Sequence, residues 1–444
     1  MSHARIVIDL GFGDAGKGSI VDHFARVHAS DLVVRFNGGA QAAHNVVTEA
    51  EHHTFRQFGS GTFSGTRTLY ARHALFDPMM LLEEARALQQ KGVTNATDLF
   101  FVEEECVITT IFQQAMNRVR ELSRKEGRHG SCGLGIGETA SDRDNTPEMV
   151  LRVKDLKDAA LTYAKLEVLR KKKFEEAVAL VHDAKDPKLT ADLEMLGDPE
   201  YSRAACDAYR NIVTYVHVVD HAKATAMLST AHAPIFEGAQ GILLDQEYGF
   251  YPYITRSDVT PQNAIAMCNE AEIAHEVTGL LRAYCVRHGP GPMPTEENFL
   301  SEALRDYHNK FDEWQRGFRV GYFDAVLARY AIDVCGKVDN IMITCTDRLP
   351  EMGEVKICNE YAPVENADHL APLSLSEIGK TEKSQQSLQL MRRSPVYHEF
   401  VSSSDLCSLE YQWAYAHEVL RLIDRKIPLL GISRGVRSSD KYFV

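Results

Sequence analysis

The segment Gly11–Ser19, G-F-G-D-A-G-K-G-S, lies between a β-branched run and a helical pattern, and its residue types suit the holding of phosphates. Glycines let backbone N–H groups close around an anion, the start of a helix adds partial positive charge, and a lysine reaches the outer phosphates. Gly13, Gly16, Lys17 and Gly18 are therefore the candidate cradle. An ordinary phosphate loop reads G-x-x-x-x-G-K-[ST], with the hydroxyl on magnesium. Here Gly18 stands where that hydroxyl would be, and Asp14 lies inside the loop, where a carboxylate can hold Mg2+ or act as a base near the terminal phosphate. A glycine turn without a ligand is the bland alternative, and the order strand, loop, lysine, helix speaks against it. A second segment, Arg35–His44 (R-F-N-G-G-A-Q-A-A-H), follows the next strand candidate. Its two glycines permit close backbone approach and would bring His44 beside the loop. A lone histidine is more often a satisfied core or surface residue, so His44 carries little by itself.

These groups need a scaffold, and the pattern supplies one. Strands are expected at Arg5–Leu10, Asp31–Phe36, Asp98–Val102 and Pro234–Phe236, with helices over Lys17–His28 and Pro78–Gln90. From about 155 to 230 the chain reads as mostly helical and highly charged. Its run K-K-K-F-E-E-A-V-A-L-V-H-D-A-K-D is expected to be the solvated face of a helical insertion. Strands return at Leu280–Val286, Asn340–Thr344, Glu354–Cys358 and Pro428–Ile432, separated by helical stretches such as Tyr322–Val334 and Ser408–Ile423. Strands alternating with helices imply an α/β fold with a large, mainly parallel central sheet. With no repeat or linker, the expectation is one domain over 1–444 with a helical excursion at about 155–230.

Composition narrows the classes. The 444 residues are 44% hydrophobic and 25% charged, ordinary for a globular protein. A net charge of −13 argues against a nucleic-acid binder. Nine cysteines, none in a C-x-x-C pair, indicate neither zinc nor a disulfide framework. No apolar run is long enough to span a bilayer, and the start shows no leader pattern, so a cytoplasmic protein without membrane partners is expected.

Further segments carry a resemblance. Phe236–Tyr253 reads F-E-G-A-Q-G-I-L-L-D-Q-E-Y-G-F-Y-P-Y, Arg287–Glu296 reads R-H-G-P-G-P-M-P-T-E, Thr344–Asp347 reads T-C-T-D, and Ile432–Gly435 reads I-S-R-G. With the two glycine segments, these resemble adenylosuccinate synthetases, whose motifs are G-D-E-G-K-G-K-[IV], R-[FY]-x-G-G-x-N-A-G-H, F-E-G-A-Q-G-x-L-L-D, R-V-G-x-G-P-F-P-T-E, T-K-x-D and S-x-G. The resemblance implies a GTP- and Mg2+-dependent carbon–nitrogen ligase in which GTP phosphorylates the 6-oxygen of IMP and L-aspartate displaces the phosphate. It assigns Asp14 as base and metal ligand, the Ala43 carbonyl as second metal ligand, His44 as acid and Lys17 as charge stabiliser. Gln240 would meet the purine edge, Asp347 the guanine N–H groups, and Ser433 and Gly435 would complete the guanine pocket. It also implies a homodimer.

The substrate-reading positions depart from that pattern. Gln41 replaces the Asn of N-A-G-H, and the family's T-T-G-R-G-I-G becomes Ser131–Gly137, S-C-G-L-G-I-G, with Cys132 in place of a phosphate-binding Thr. Thr255 matches the other phosphate-contacting Thr. An arginine that family members lend across the dimer has Arg143 as its nearest candidate. The loop G-A-T-T-G-R-R-R-R-T-G-W becomes Glu313–Tyr322, which keeps Arg316 and Arg319 but puts Glu313 and Trp314 for the threonines and Phe318 for an arginine. Cys345 replaces the lysine of T-K-x-D; it and Cys132 are expected to be small buried residues. Trp314 and Phe318 could equally line a pocket for an apolar amine or pack beneath a closed loop. Altered substrate loops around an intact transfer core favour a specialised paralogue acting on IMP or an analogue with another amine. A genuine adenylosuccinate synthetase and a nucleotide-binding regulator without turnover are the alternatives.

Overall fold

The computed structural model describes residues 3–181, 186–305, 317–362, 380–401, 405–423 and 425–444. Ten strands form the central sheet: β1 (His3–Asp9), β2 (Leu32–Arg35), β3 (Arg67–Tyr70), β4 (Phe100–Glu103), β5 (His217–Val219), β6 (Ile235–Glu237), β7 (Ala274–Arg282), β8 (Asn340–Thr344), β9 (Leu429–Ser433) and β10 (Lys441–Phe443). Their order is β10-β9-β8-β7-β1-β6-β2-β3-β4-β5, and only β10 runs antiparallel to its neighbour. In such sheets ligands gather beyond the carboxyl ends of the strands. The loops after β1, β2, β6, β8 and β9 all carry candidate site residues.

Alternation along the inner strands gives the sheet two apolar faces, as a sheet covered on both sides requires. One face presents Val7, Val33, Ile235, Leu280 and Met342 to Ile20, Val21, Phe24 and Ala25 of α1 (Lys17–Val27). The other presents Ile6, Ile8, Val34, Phe236, Ile341 and Ile343 to the largest core cluster. Burying each large apolar side chain stabilises by about 1.5–3 kcal/mol, so α1 is pinned with its first turn at the end of β1. Truncating Phe24 to Ala would cost about 3–5 kcal/mol and loosen that anchor.

The expected strands and helices recur with boundaries moved by a few residues, and Pro78–Gln90 and Asn340–Thr344 match at both ends. The expected strand Leu280–Val286 is broken: β7 ends at Arg282, and Cys285–His288 pairs instead with Phe318–Gly321. Strands β3, β5 and β10 had no counterpart among the expected strands.

The charged stretch needs correcting. Helices Ala159–Leu180, Pro187–Gly197 and Glu200–Ile212 pack on one another and around Ile111–Ser123, but β5 returns from within this region to the sheet edge beside β4. Lys171 faces solvent, whereas Lys173 is buried and binds Asp142 at 2.9 Å and Glu138 at 3.2 Å. Buried charges persist only when paired, so part of this run is an internal network holding helix Ile136–Asn145. That helix begins at the candidate site.

Candidate active site

A cleft of about 810 Å3 opens along the carboxyl ends of the strands, lined by the glycine loop at its centre. Such a volume is at the large end of small-molecule sites, which reach about 1,000 Å3. Asp9, the last residue of β1, ties the loop: its carboxylate accepts from Gly11 N and Ala15 N, both at 2.9 Å, and from Lys17 Nζ at 3.0 Å. The buried Lys17 amine also donates to the Gln240 carbonyl at 2.7 Å. Gly16 caps α1 in the left-handed region at φ 79°. Gly241 packs so closely that a Cβ there would stand 2.2 Å from the Gly11 carbonyl oxygen. The second glycine of F-E-G-A-Q-G is thus the floor of the phosphate loop.

Gly18 has an equally direct cause. A Cβ on it would lie 2.8 Å from Asn45 O and 2.9 Å from His44 Cβ. The strand His44–Val47 crosses the start of α1 and takes the space that a Ser or Thr would use.

His44 is buried beside this turn, with Nδ1 2.6 Å from Glu237 Oε1 and 3.1 Å from Arg35 Nη1. Glu237 and Arg35 are register partners at the ends of β6 and β2. Burial works to raise the Glu237 carboxyl, but His44 and Arg35 outweigh it and hold its pKa down at about 2. An ionised carboxylate only accepts, so Nδ1 carries the hydrogen and Nε2 is left as an acceptor. Burial pulls His44 itself down to about 4, with Arg35 and Lys17 adding to this and Glu237 opposing it. The free cleft therefore holds a neutral imidazole, and anionic phosphates entering it would draw the pKa back up. Glu237 also accepts from Ser60 N at 3.0 Å and from the Ser60 hydroxyl. Sequence reasoning assigned no role to Arg35, Ser60 or Glu237, although Arg35 and Glu237 stand inside the motifs it used.

Asp14, at φ 60°, is about a third exposed and pairs with His288 Nε2 at 3.0 Å. Burial raises its carboxyl, but His288, Arg282 and Lys17 prevail and keep it below the ordinary carboxylate value. Arg282, at the end of β7, donates to the Asp14 carbonyl at 2.9 Å and so fixes the loop tip. His288 occupies the valine position of R-V-G-x-G-P, and Phe318 meets its ring edge-on at 5.0 Å. Phe318 thus packs against His288.

The far end of the cleft is built by the turn after β8. Cys345 at φ 57° leads into the helical turn Thr346–Met352, which places Asp347 on the cleft wall with Ser433 and Gly435. Thr346 Oγ1 donates to Gln412 at 2.8 Å and to the Ser433 carbonyl at 3.3 Å, joining the two segments. Burial pushes the Asp347 carboxyl above its usual value. A buried cation, Lys441 from β10, donates to the Gly435 carbonyl at 2.7 Å behind this wall.

Gln41, Cys132 and Thr255 also line the cleft. The side-chain amide atoms of Gln41 and Oε1 of Gln240 are buried with no hydrogen-bond partner among the described residues. Both cysteines expected to be buried, Cys132 and Cys345, are instead half-exposed on the cleft wall. Leu134, where the quoted family motif has Arg, packs with Leu75, Val107 and Val150. Arg319 does not line the cleft: it donates to Glu296 at 2.9 Å and to the carbonyls of Gly289 and Gly291 at 3.0 and 2.9 Å. Arg143 pairs with Asp144 at 2.8 Å and is also outside the lining. Arg316, Glu313 and Trp314 lie outside the described residues.

Magnesium chemistry fits what is present. Asp14 and the Ala43 backbone are on the same cleft wall and offer hard oxygen donors. Among the described residues no group of three or more His, Cys, Asp or Glu converges. A metal here would draw its remaining oxygens from nucleotide phosphates and water, as Mg2+ commonly does.

The fold and this cleft define a nucleotide-handling α/β enzyme with a modified phosphate loop. Residues 6–434 match the family model for adenylosuccinate synthetase. The chain is 32% identical to the adenylosuccinate synthetase of Crocosphaera subtropica over 381 residues, covering 84% of this chain and 81% of that one. Its fold is similar to a fully ligated adenylosuccinate synthetase from Plasmodium falciparum, with TM-score 0.77, 21% identity and 99% of each chain covered. A succinoaminodeoxyadenylate synthetase of cyanophage S-2L, solved with dGMP and with dATP as energy donor, shares the fold at TM-score 0.61 and 19% identity, covering 100% of this chain and 95% of that one. The chain belongs to the adenylosuccinate synthetase family and is a GTP-dependent carbon–nitrogen ligase. No helix among the described residues is long and apolar enough to cross a membrane.

Proposed function

We propose that this ligase phosphorylates the 6-oxo group of a purine nucleotide, IMP or an analogue, and joins to it an amine other than the family's L-aspartate. The 6-oxygen attacks the γ-phosphorus of GTP and GDP departs. The amine nitrogen then attacks C6 and inorganic phosphate leaves with the oxygen. An oxo group is a poor leaving group until phosphorylated, so positioning and charge stabilisation carry the step. Asp14 takes the N1 proton, Lys17 and His44 meet the transferring phosphoryl oxygens, Gln240 orients the purine and Asp347 reads guanine. Asp14 and the Ala43 carbonyl would hold Mg2+, which neutralises phosphate charge when bound.

The observation carrying this reading is the contrast between the transfer core and the described part of the amine loop. The transfer core is assembled around Asp14, Lys17 and the His44–Glu237–Arg35 cluster. At the described positions of the amine loop, Phe318 sits against His288, and Arg319 is committed to Glu296 and backbone carbonyls. A dicarboxylic amine needs cations that these positions no longer offer. We also take the chain as one cytoplasmic folding unit, 1–444, that assembles as a homodimer.

The test is phosphate release from GTP–Mg2+ with IMP, with and without L-aspartate and across a panel of amines, followed by mass spectrometry of the nucleotide. Product with another amine and not with aspartate supports the proposal. Aspartate-dependent formation of adenylosuccinate makes the chain a genuine synthetase, as the names of its relatives would have it.

A further inference from the structure

Six arginines line the cleft, and five are committed. Arg120 binds Glu138 at 2.6 Å, Arg124 binds Glu121, and Arg348 binds Glu351 at 2.6 Å. Arg282 holds the Asp14 carbonyl, and Arg287 spans the carbonyls of Tyr253, Pro290 and Pro292 at 2.8–3.1 Å. Arg256, exposed like Arg124, is the one of the six that makes no hydrogen bond or ion pair to the described residues. A cation in an active-site cleft that no carboxylate neutralises is available to an anionic ligand.

Its surroundings are suited to such a ligand. Arg256 follows Thr255, and its Cγ lies 3.7 Å from where a Gly137 side chain would begin, so its stem crosses the first turn of helix Ile136–Asn145. That helix starts from Gly135 at φ 75° with no side-chain cap, and Ile136, Gly137 and Glu138 of its first turn line the cleft. Free N–H groups at a helix start favour anions. The buried, unpartnered amide atoms of Gln41 add donor capacity on the same wall.

We propose that Arg256 clamps the phosphate monoester of the purine acceptor, so that one chain supplies the cation which the family resemblance assigns to a neighbouring subunit. This rests on the proposed function. It accounts for two departures together: the arginine that the family lends across the dimer has only Arg143 as its nearest candidate, which pairs here with Asp144, and Cys132 offers a weaker partner than threonine. A bidentate guanidinium–phosphate contact replaces what both have lost.

The test uses full-length chains of the parent, Arg256→Ala and Arg256→Lys. Calorimetry without GTP compares IMP with inosine, which lacks the phosphate. In turnover, KM is measured for IMP, for GTP and for the amine. Arg256→Ala is expected to weaken IMP about 10- to 100-fold, from charge-assisted hydrogen bonds of about 1.5–3 kcal/mol, with inosine and GTP unmoved and Lys restoring part of the loss. Unchanged IMP affinity overturns the proposal, as does a change confined to the KM of a carboxylate-bearing amine. Mixing Arg256→Ala with Asp14→Asn chains separates cis from trans: recovered activity means the arginine crosses between subunits, and no recovery supports its acting within one chain. Should the parent turn over no oxo-purine, the proposed reaction fails while calorimetry still judges Arg256; a parent that binds IMP no better than inosine refutes its role.

Discussion

Replacing Glu237 by Gln should cost both stability and phosphoryl transfer, and the structure says by how much. The carboxylate is fully buried, 2.6 Å from His44 Nδ1 and 3.0 Å from Ser60 N, with the fully buried Arg35 guanidinium 3.7 Å away. Glutamine keeps the volume and one acceptor oxygen. It puts an NH2 against either the imidazole N–H or the serine N–H, and it leaves Arg35 as a buried cation without its counter-charge. Removing one partner of a buried pair costs about 3–5 kcal/mol, a large share of the stability of a typical fold. His44 loses at the same time the acceptor that fixes its tautomer and the charge that supports its protonation, so the phosphoryl-transfer rate should fall about 10²–10⁴-fold. Urea unfolding reads the first effect and GTP turnover the second. Because Glu237 would act through His44, Glu237→Gln and His44→Ala should be far from additive in rate. A Glu237→Gln protein within about 1 kcal/mol of the parent that turns over GTP at the parental rate would falsify the assignment of this cluster.

Three further outcomes follow from other parts of the cleft. Gly18→Ser restores the ordinary phosphate-loop hydroxyl, yet its Cβ meets Asn45 O and His44 Cβ below 3.0 Å; it should lose about 1–3 kcal/mol in urea unfolding and slow turnover, and a faster enzyme would show that the space exists. Asp347→Asn should weaken GTP about 10- to 100-fold in calorimetry while barely affecting ATP, since a charged acceptor of two guanine N–H groups is lost; equal losses for both nucleotides would move guanine recognition elsewhere. Lys441 is pulled down by burial from 10.5 to about 8. The unfolded chain therefore holds this proton at pH values where the folded chain has released it, and stability should rise between pH 8 and 10.5 by up to about 3 kcal/mol. Lys441→Met should remove that rise, and parallel pH profiles for variant and parent would show that Lys441 is not the titrating group.

The residues proposed for the transfer core could be picked out in the chain because their chemistry is local. A glycine-rich loop between a strand and a helix points to a phosphate site, and Lys17 and Asp14, the residues proposed to act there, lie within its nine residues. The α/β class was equally legible, since inner strands buried on both faces read as apolar runs separated by helical periods. Strands β3, β5 and β10 were not, because their pairing is decided by what lies beside them in the folded sheet. Only the tertiary structure decided who surrounds His44. Arg35 and Glu237 are 202 positions apart in the chain yet register partners on adjacent strands, and their fields set the state of the imidazole. The same holds for Gly18, whose identity answers to a strand crossing above it, and for Lys173, a charge in a solvated-looking run that is buried against Asp142. Arg256 and Arg319 look alike as arginines in loops; packing commits one to carbonyls and leaves the other facing the cleft. Residue type determines what chemistry is possible, while burial and partners, which depend on contacts distant in sequence, determine which of it is available.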